Sequence, residues 1–139
     1  MKKIFIPGLV AALGLFAAGM LIGYLFNFMF PSVSAEYENF QIFRSWDDPL
    51  MYIYFLQPFL LAFAFAWLWN RAKSFFNGSI WKIAFYFSLI YWFIAIIPGM
   101  IMTLSSFKVS LLLAITWTLS AFFQAWVAMV IIIRMNKKV

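Results

Sequence analysis

The sequence predicts an all-α membrane protein in which four transmembrane helices form an antiparallel bundle and a short interfacial helix lies in the first outer loop. Three observations support this prediction. Hydrophobic residues make up 67% of the 139 residues and charged residues 10%, against about 25% charged in soluble proteins. Four long stretches contain no charged residue, and one polar stretch, residues 32–49, contains all four carboxylates.

The four uncharged stretches are residues 4–30, 50–69, 83–107 and 109–133, each at least 20 residues long. At 1.5 Å per helical residue, each can cross the ~30 Å hydrocarbon core of a bilayer. We therefore interpret residues 1–139 as a single transmembrane domain. The first stretch follows two lysines like a secretory signal, but a signal core has only about 7–15 apolar residues. This stretch is interpreted as an uncleaved signal-anchor.

The polar stretch 32–49 is the predicted outer loop. Ser34 can cap a short helix that has Glu36 in its first turn, because small hydroxyl side chains are favoured at that position. The aromatic residues Tyr37, Phe40 and Phe43 recur at helical spacing and are suited to the membrane surface. The loop is therefore predicted to contain an interfacial helix.

The end of the loop contains its remaining charges. Asp48 followed by Pro49 is a helix-start pattern, with the aspartate as cap and the proline at the first helical position. Arg44 is expected either to turn inward toward a cavity or to pair with Asp47 or Asp48, because the distribution of basic residues does not require an arginine on the outer face.

The orientation of the chain follows from its basic residues. Four spans place both termini and the turn 70–82 on one side, together with eight of the ten basic residues. These eight are Lys2, Lys3, Arg71, Lys73, Lys82, Arg134, Lys137 and Lys138. Since basic residues remain cytoplasmic, both termini are predicted to be cytoplasmic in a prokaryotic inner membrane, with the acidic loop outside.

Small residues mark two candidate helix-packing faces. Span one contains the GxxxG pair Gly19 and Gly23, which allows close approach of another backbone. Span four contains small residues at alternating spacings of four and three. They are Ala114, Thr118, Ala121, Ala125 and Ala128. Packing within the chain is one interpretation, and a homo-oligomer or a membrane-protein partner is the other.

Polar groups and prolines within the spans suggest a binding site. Gln57 lies about 10 Å from the outer end of span two, and Met100 and Thr116 occur at the same depth. Pro58 and Pro98 are also in this layer, and each leaves a carbonyl without its usual donor. The layer either lines a cavity below Arg44, Asp47 and Asp48 or consists of ordinary kinks in which Gln57 bonds a freed carbonyl.

A second polar layer is predicted deeper in the membrane. Tyr91 and Gln124 are placed level with each other on adjacent spans. A structural hydrogen bond between them is the simplest expectation.

Several classes of function are disfavoured. The chain has no cysteine and no histidine, so thiol chemistry, haem ligation and the usual zinc sites are not expected. We predict no metal and no cofactor. Ion-coupled transport commonly uses a charged residue within the membrane, and none occurs in the four stretches. The basic residues flank apolar stretches, which favours lipid over nucleic acid.

Three functions remain. The first is a non-catalytic membrane protein acting by association, either as an accessory or assembly subunit or as a binder of a lipophilic ligand. The second is a small oligomeric channel or uncoupled carrier with its constriction near Gln57 and Thr116. The third is a membrane enzyme that uses Asp47 and Asp48.

The predicted topology can be tested with single cysteines, because the chain has none of its own. Cysteines at positions 74 and 106 should react with a membrane-impermeant maleimide from opposite sides. Labelling of both from the same side would contradict four membrane crossings.

Overall fold

The computed structural model describes residues 2–136, and no strand is present in that range. Met1 and residues 137–139 lie outside the described residues. The lysines Lys137 and Lys138 and the side chain of Lys2, which contribute to the predicted orientation, are therefore not described. The helices are α1 (Lys2–Met29), α2 (Pro31–Tyr37), a 3-10 helix (Pro49–Leu56), α3 (Gln57–Ala72), a second 3-10 helix (Lys73–Phe75), α4 (Ile80–Tyr91), a π-helical turn (Trp92–Ile96), α5 (Ile97–Ser106) and α6 (Leu111–Asn136).

Four helical stretches are long and apolar enough to cross a membrane, which indicates an integral membrane protein. They are Lys3–Met29, Pro49–Phe75, Ile80–Ser106 and Leu111–Asn136, called spans one to four below. The predicted ends differ from these bounds most at the turn between spans two and three. Span two continues past residue 69, and span three begins at Ile80 because the Ser79 hydroxyl accepts a hydrogen bond from the Lys82 backbone N–H at 3.4 Å.

The core of the protein lies toward the chain termini. α1 packs against both α3 and α6, and α6 also packs against α4. The largest cluster of buried side chains comes from the ends of these four helices near the termini. By contrast, the segments Pro49–Leu56 and Ile97–Ser106 contain no buried residue. We call the half toward the chain termini the terminal half, and the half that contains residues 30–56, 97–106 and the start of α6 the loop half. The terminal half contains most of the buried side chains, and the loop half has a smaller set that includes Val33, Leu113 and Ala114.

Two prolines change the helix type in the middle of spans two and three. Pro58 cannot donate to the Tyr54 carbonyl, which instead accepts from the Gln57 backbone N–H in 3-10 geometry. Just before Pro98, the Ile97 N–H reaches back five residues to the Trp92 carbonyl, which is the π-helical pattern. The alternative in which the Gln57 side chain bonds a freed carbonyl is wrong, because this side chain makes no hydrogen bond within residues 2–136.

The glycines of span one differ in their surroundings. A methyl group in place of a glycine hydrogen would lie 2.6 Å from a Phe63 ring carbon at Gly8 and 3.2 Å from the Gln124 amide at Gly19. At Gly23, no atom of another helix within residues 2–136 lies within 4 Å of such a methyl group. Gly19 therefore takes part in packing within the chain, whereas Gly23 does not.

The small residues of span four lie mostly inside the protein. Ala114, Ala125 and Ala128 are at most 2% exposed. Thr118 and Ala121 are half-buried, and the Thr118 hydroxyl donates to the Ala114 carbonyl at 2.6 Å. This face of α6 thus packs within the chain at Ala114, Ala125 and Ala128, while its central part is less tightly covered.

Gly8→Ala should destabilise the protein by about 1–3 kcal/mol, because the Phe63 ring must move to admit the methyl group. Gly23→Ala is the matched control and should leave stability unchanged or slightly higher, since that position is open. Unfolding in mixed micelles of increasing denaturing-detergent fraction measures both. Equal destabilisation by the two substitutions would show that the α1 contacts described above are wrong.

Candidate functional site

A cleft of about 350 Å³ lies in the loop half between span two and span three, with α6 behind it. At about 30 Å³ per water molecule, this volume corresponds to roughly ten waters. The residues that line it come from three spans. They are Tyr54, Gln57 and Leu61 from span two, Tyr91, Ile96 and Met100 from span three, and Trp117, Ser120, Ala121 and Gln124 from α6.

The spacing of these residues follows from the local helix type. On α6 the lining residues recur at three and four positions, which defines one face of an α-helix. On span three, Tyr91 and Ile96 are five residues apart, which in an α-helix would separate them by about 140°. The π-helical turn Trp92–Ile96 brings them to the same face. The indole N–H of Trp92 also donates to the Thr118 carbonyl at 2.8 Å, which holds this turn against α6.

The cleft is lined by polar groups that carry no charge. Within residues 2–136, five of the lining side chains make no hydrogen bond to protein. They are the hydroxyls of Tyr54, Tyr91 and Ser120 and the amides of Gln57 and Gln124. Polar groups at membrane depth need a partner, because the hydrocarbon offers none. These five groups are therefore available to a bound molecule or to water.

Three threonine hydroxyls in the spans are already satisfied by their own helices. Thr103 donates to the Gly99 carbonyl at 2.9 Å, and Thr116 donates to the Leu113 carbonyl at 2.7 Å. Thr118 does the same with Ala114. The Ser88 hydroxyl is also buried without a hydrogen-bond partner in the described part of the chain, and it lies outside the cleft. Unpaired polar groups therefore occur elsewhere in the spans, but five of them share the cleft.

Aromatic residues of the loop contact two residues that line the cleft, Tyr54 and Trp117. The rings of Tyr37, Phe43 and Trp117 lie 5.4 to 6.2 Å apart, and the Trp117 indole N–H donates to the Tyr37 hydroxyl. Trp46 contacts the ring of Tyr54 edge-on at 6.2 Å. Burial raises the pKa of Tyr37, against the opposing effect of the Trp117 hydrogen bond, so this phenol stays neutral over the physiological pH range.

The loop is held in place by a contact between distant parts of the chain. The Glu36 carboxylate accepts a hydrogen bond from the Ser110 backbone N–H at 2.7 Å. The Ser110 hydroxyl in turn accepts from the Leu113 N–H at 3.1 Å, at the start of α6. A carboxylate is favourable there because the first N–H groups of a helix lack partners and carry partial positive charge.

The loop helix begins earlier than the sequence predicted. α2 starts at Pro31 with Phe30 before it, and no side chain caps it, so Ser34 is not the cap. Proline is well suited to the first helical position, since its fixed φ matches the helix and its missing N–H has no partner there. Phe40 lies beyond the helix and is 71% exposed.

The charges at the end of the loop are arranged as predicted. Arg44 pairs with Asp48 at 2.7 Å, and the second carboxylate oxygen of Asp48 accepts from the Leu50 N–H at 2.9 Å. These contacts lower the pKa of Asp48, with the Leu50 backbone hydrogen bond as the largest single cause and the Arg44 hydrogen bond as the next. Asp47 contacts Ser45 at 3.4 Å. Arg44, Asp47 and Asp48 do not line the cleft.

The other predicted site residues are not brought together in one layer. Gln57 lines the cleft, but Pro58 is buried and Pro98 is exposed. Thr116 lies four residues before Ser120 on α6 but is buried and does not line the cleft.

Tyr91 and Gln124 both line the cleft, but they do not hydrogen-bond to each other. Sequence analysis missed Tyr54 and Ser120. Their helical spacing from Gln57 and Gln124 was the available signal.

The fold and the cleft define a helical protein suited to the membrane, with an uncharged polar cleft in one half. Comparison with known proteins places it in no family, since no family model, curated protein or solved structure matches the chain.

Acid should release the Asp48 contacts only below the usual aspartate range. Because its pKa is lowered from 3.8, the stabilisation is complete above that value and is lost as the pH falls through the lowered pKa. Arg44→Ala should raise this pKa without restoring 3.8, since the Leu50 N–H remains. Carboxyl NMR shifts of labelled aspartate in micelles measure both, and a full return to 3.8 in the variant would contradict the assigned order of causes.

Proposed function

We propose that this protein is a non-catalytic membrane protein that binds a neutral lipophilic molecule in the cleft. The observation that supports this most is the set of five uncharged side chains that line the cleft without a hydrogen bond within residues 2–136. Two amides and three hydroxyls can both donate and accept. The cleft volume of about 350 Å³ is at the lower end of the range for small-molecule sites, about 300–1,000 Å³.

The ligand is expected to be uncharged and amphiphilic. No charged side chain lines the cleft, so a charged head group would lose its hydration without gaining a counter-ion. Leu61, Ile96 and Met100 form the apolar part of the lining. A hydroxyl or carbonyl head group on a hydrocarbon chain fits both features.

The two alternative functions have less support. A channel needs a continuous polar path, but the cluster of buried apolar side chains occupies the terminal half, and the Thr116 hydroxyl is bonded to its own helix. An enzyme using Asp47 and Asp48 needs free, adjacent carboxylates. Asp48 is bonded to Arg44 and to the Leu50 N–H instead.

We further propose that the four spans form an antiparallel bundle with α2 in the membrane interface. Both termini are proposed to face the cytoplasm of a prokaryotic inner membrane, with span one as an uncleaved signal-anchor. The cleft and loop then face outward. Association with a second copy or with a membrane-protein partner stays a proposal, and Gly23 on the open side of span one is its best candidate contact.

Three amphiphiles with one chain and different head groups test the proposed ligand class. In nanodiscs at pH 7, dodecanol should bind with 1:1 stoichiometry by native mass spectrometry. Dodecylammonium and dodecyl phosphate should bind at least tenfold more weakly at equal mole fraction in the bilayer, because the cleft offers no counter-ion.

Gln57→Leu with Gln124→Leu should weaken dodecanol binding by about 5- to 150-fold. This corresponds to roughly 1–3 kcal/mol for two hydrogen-bonding groups in a membrane. Asn27→Leu removes an exposed amide of span one outside the cleft and is the control. Unchanged affinity in the double variant, or equal loss in the control, would rule out the cleft as the site. Gln57→Leu alone provides the same test if the double variant does not fold.

A further inference from the structure

A shallow apolar groove on the outside of span two adjoins the cleft. It is open to its surroundings and is lined by residues of this span, Ile53, Leu56, Gln57, Leu60 and Leu61. Ile53, Leu56 and Leu60 are each at least 56% exposed, so the groove faces away from the protein interior. Gln57 and Leu61 line both the groove and the cleft. The two spaces therefore meet at these two side chains.

The other sides of the cleft are covered. Toward the termini, Phe65 packs against the rings of Phe87 and Tyr91 at 5.6 and 5.0 Å. Toward the loop, Trp117 lines the cleft and its ring packs against those of Tyr37 and Phe43, with ring centroids 6.2 and 6.0 Å away. α6 covers the back of the cleft. The uncovered direction is the gap between the loop halves of spans two and three.

This gap has a structural cause. The segments Pro49–Leu56 and Ile97–Ser106, which flank it, contain no buried residue, so no close helix packing closes the bilayer side of the cleft. Gln124 is the cleft's polar group farthest from the loop, about 20 Å along α6 from its loop end. The cleft therefore extends into the depth of the membrane, and a molecule that enters through the gap comes from the hydrocarbon region.

We propose that the cleft is loaded sideways from the bilayer, through the gap bordered by Gln57 and Leu61, by a neutral single-chain amphiphile. Its head group lies in the cleft among the free amides and hydroxyls, and its hydrocarbon chain lies in the groove of Ile53, Leu56 and Leu60. This inference rests on the proposed ligand class and adds the route and the placement of the chain.

The two parts of the site contribute differently to binding. A hydrocarbon chain leaving the bilayer for the groove gains little, because lipid tails are as apolar as leucine side chains. The head group gains hydrogen bonds that the hydrocarbon cannot provide. The head group therefore determines occupancy, and the groove determines where the chain points. An ordinary lipid in the groove would not depend on Gln57 or Gln124.

Photo-crosslinking with two forms of dodecanol tests this arrangement in nanodiscs. One form carries a diazirine at the far end of the chain and the other carries it next to the hydroxyl. The chain-end probe should label Ile53, Leu56 and Leu60, and the head-end probe should label Tyr91 and Gln124. Labelling of the exposed span-one residues Leu21 and Leu25 gives the background for lipid contact.

Gln57→Leu should reduce both specific labels at least fivefold while leaving the span-one background unchanged. Three outcomes would overturn the proposal. Chain-end labels on Phe43 and Trp46 would mean that the ligand enters past the loop, and 1:1 binding would then still support the proposed function. If the chain-end probe still labels Ile53, Leu56 and Leu60 in Gln57→Leu, the probe is lying in the groove as any membrane lipid would. Absence of 1:1 binding, with all labels at background, would refute the proposed function as well.

Discussion

A proline within a membrane-spanning helix removes a backbone donor where no water can replace it. In this protein the constraint acts at Pro58 and Pro98, near the middle of spans two and three. The backbone responds with a 3-10 segment before Pro58 and a π-helical turn before Pro98. The π-helical turn brings Tyr91 and Ile96 to the cleft, which Gln57 also lines, and the loop-side segments beyond the two prolines contain no buried residue. The span-three side of the cleft thus depends on the backbone geometry before Pro98.

The terminal half of the protein provides most of the stability, and the loop half contains the proposed binding cleft. The terminal half holds the helices together through residues such as Ala125, Met129 and Ile132, which are fully buried. The loop half has little of this packing and is instead held by specific polar contacts, above all Glu36 with the Ser110 N–H. An opening between spans two and three can therefore exist without loss of the core, because the core is elsewhere.

The features that could be predicted from the sequence are those that depend on residues close together in the chain. The four spans and the Asp48 cap depend on hydropathy and on adjacent residues, and the pairing of Arg44 with Asp48 depends on a separation of four. The π-helical turn could not be predicted from α-helical periodicity. Counting depth along the spans placed Thr116 in the site, but depth does not say which side chains line the cleft. The contact of Glu36 with Ser110 joins residues 74 positions apart, and no local pattern encodes it.

Polar groups in a membrane helix carry functional information only when their hydrogen bonds are traced. Thr103, Thr116 and Thr118 donate to their own helices, so they stabilise local structure at little cost and present nothing to a ligand. Gln57 and Gln124 have longer side chains and stay unpaired within residues 2–136. The absence of charge in the cleft then limits what these groups can recognise to neutral donors and acceptors. That limit, together with an opening toward hydrocarbon, favours a membrane-dissolved ligand over an ion or a water-soluble substrate.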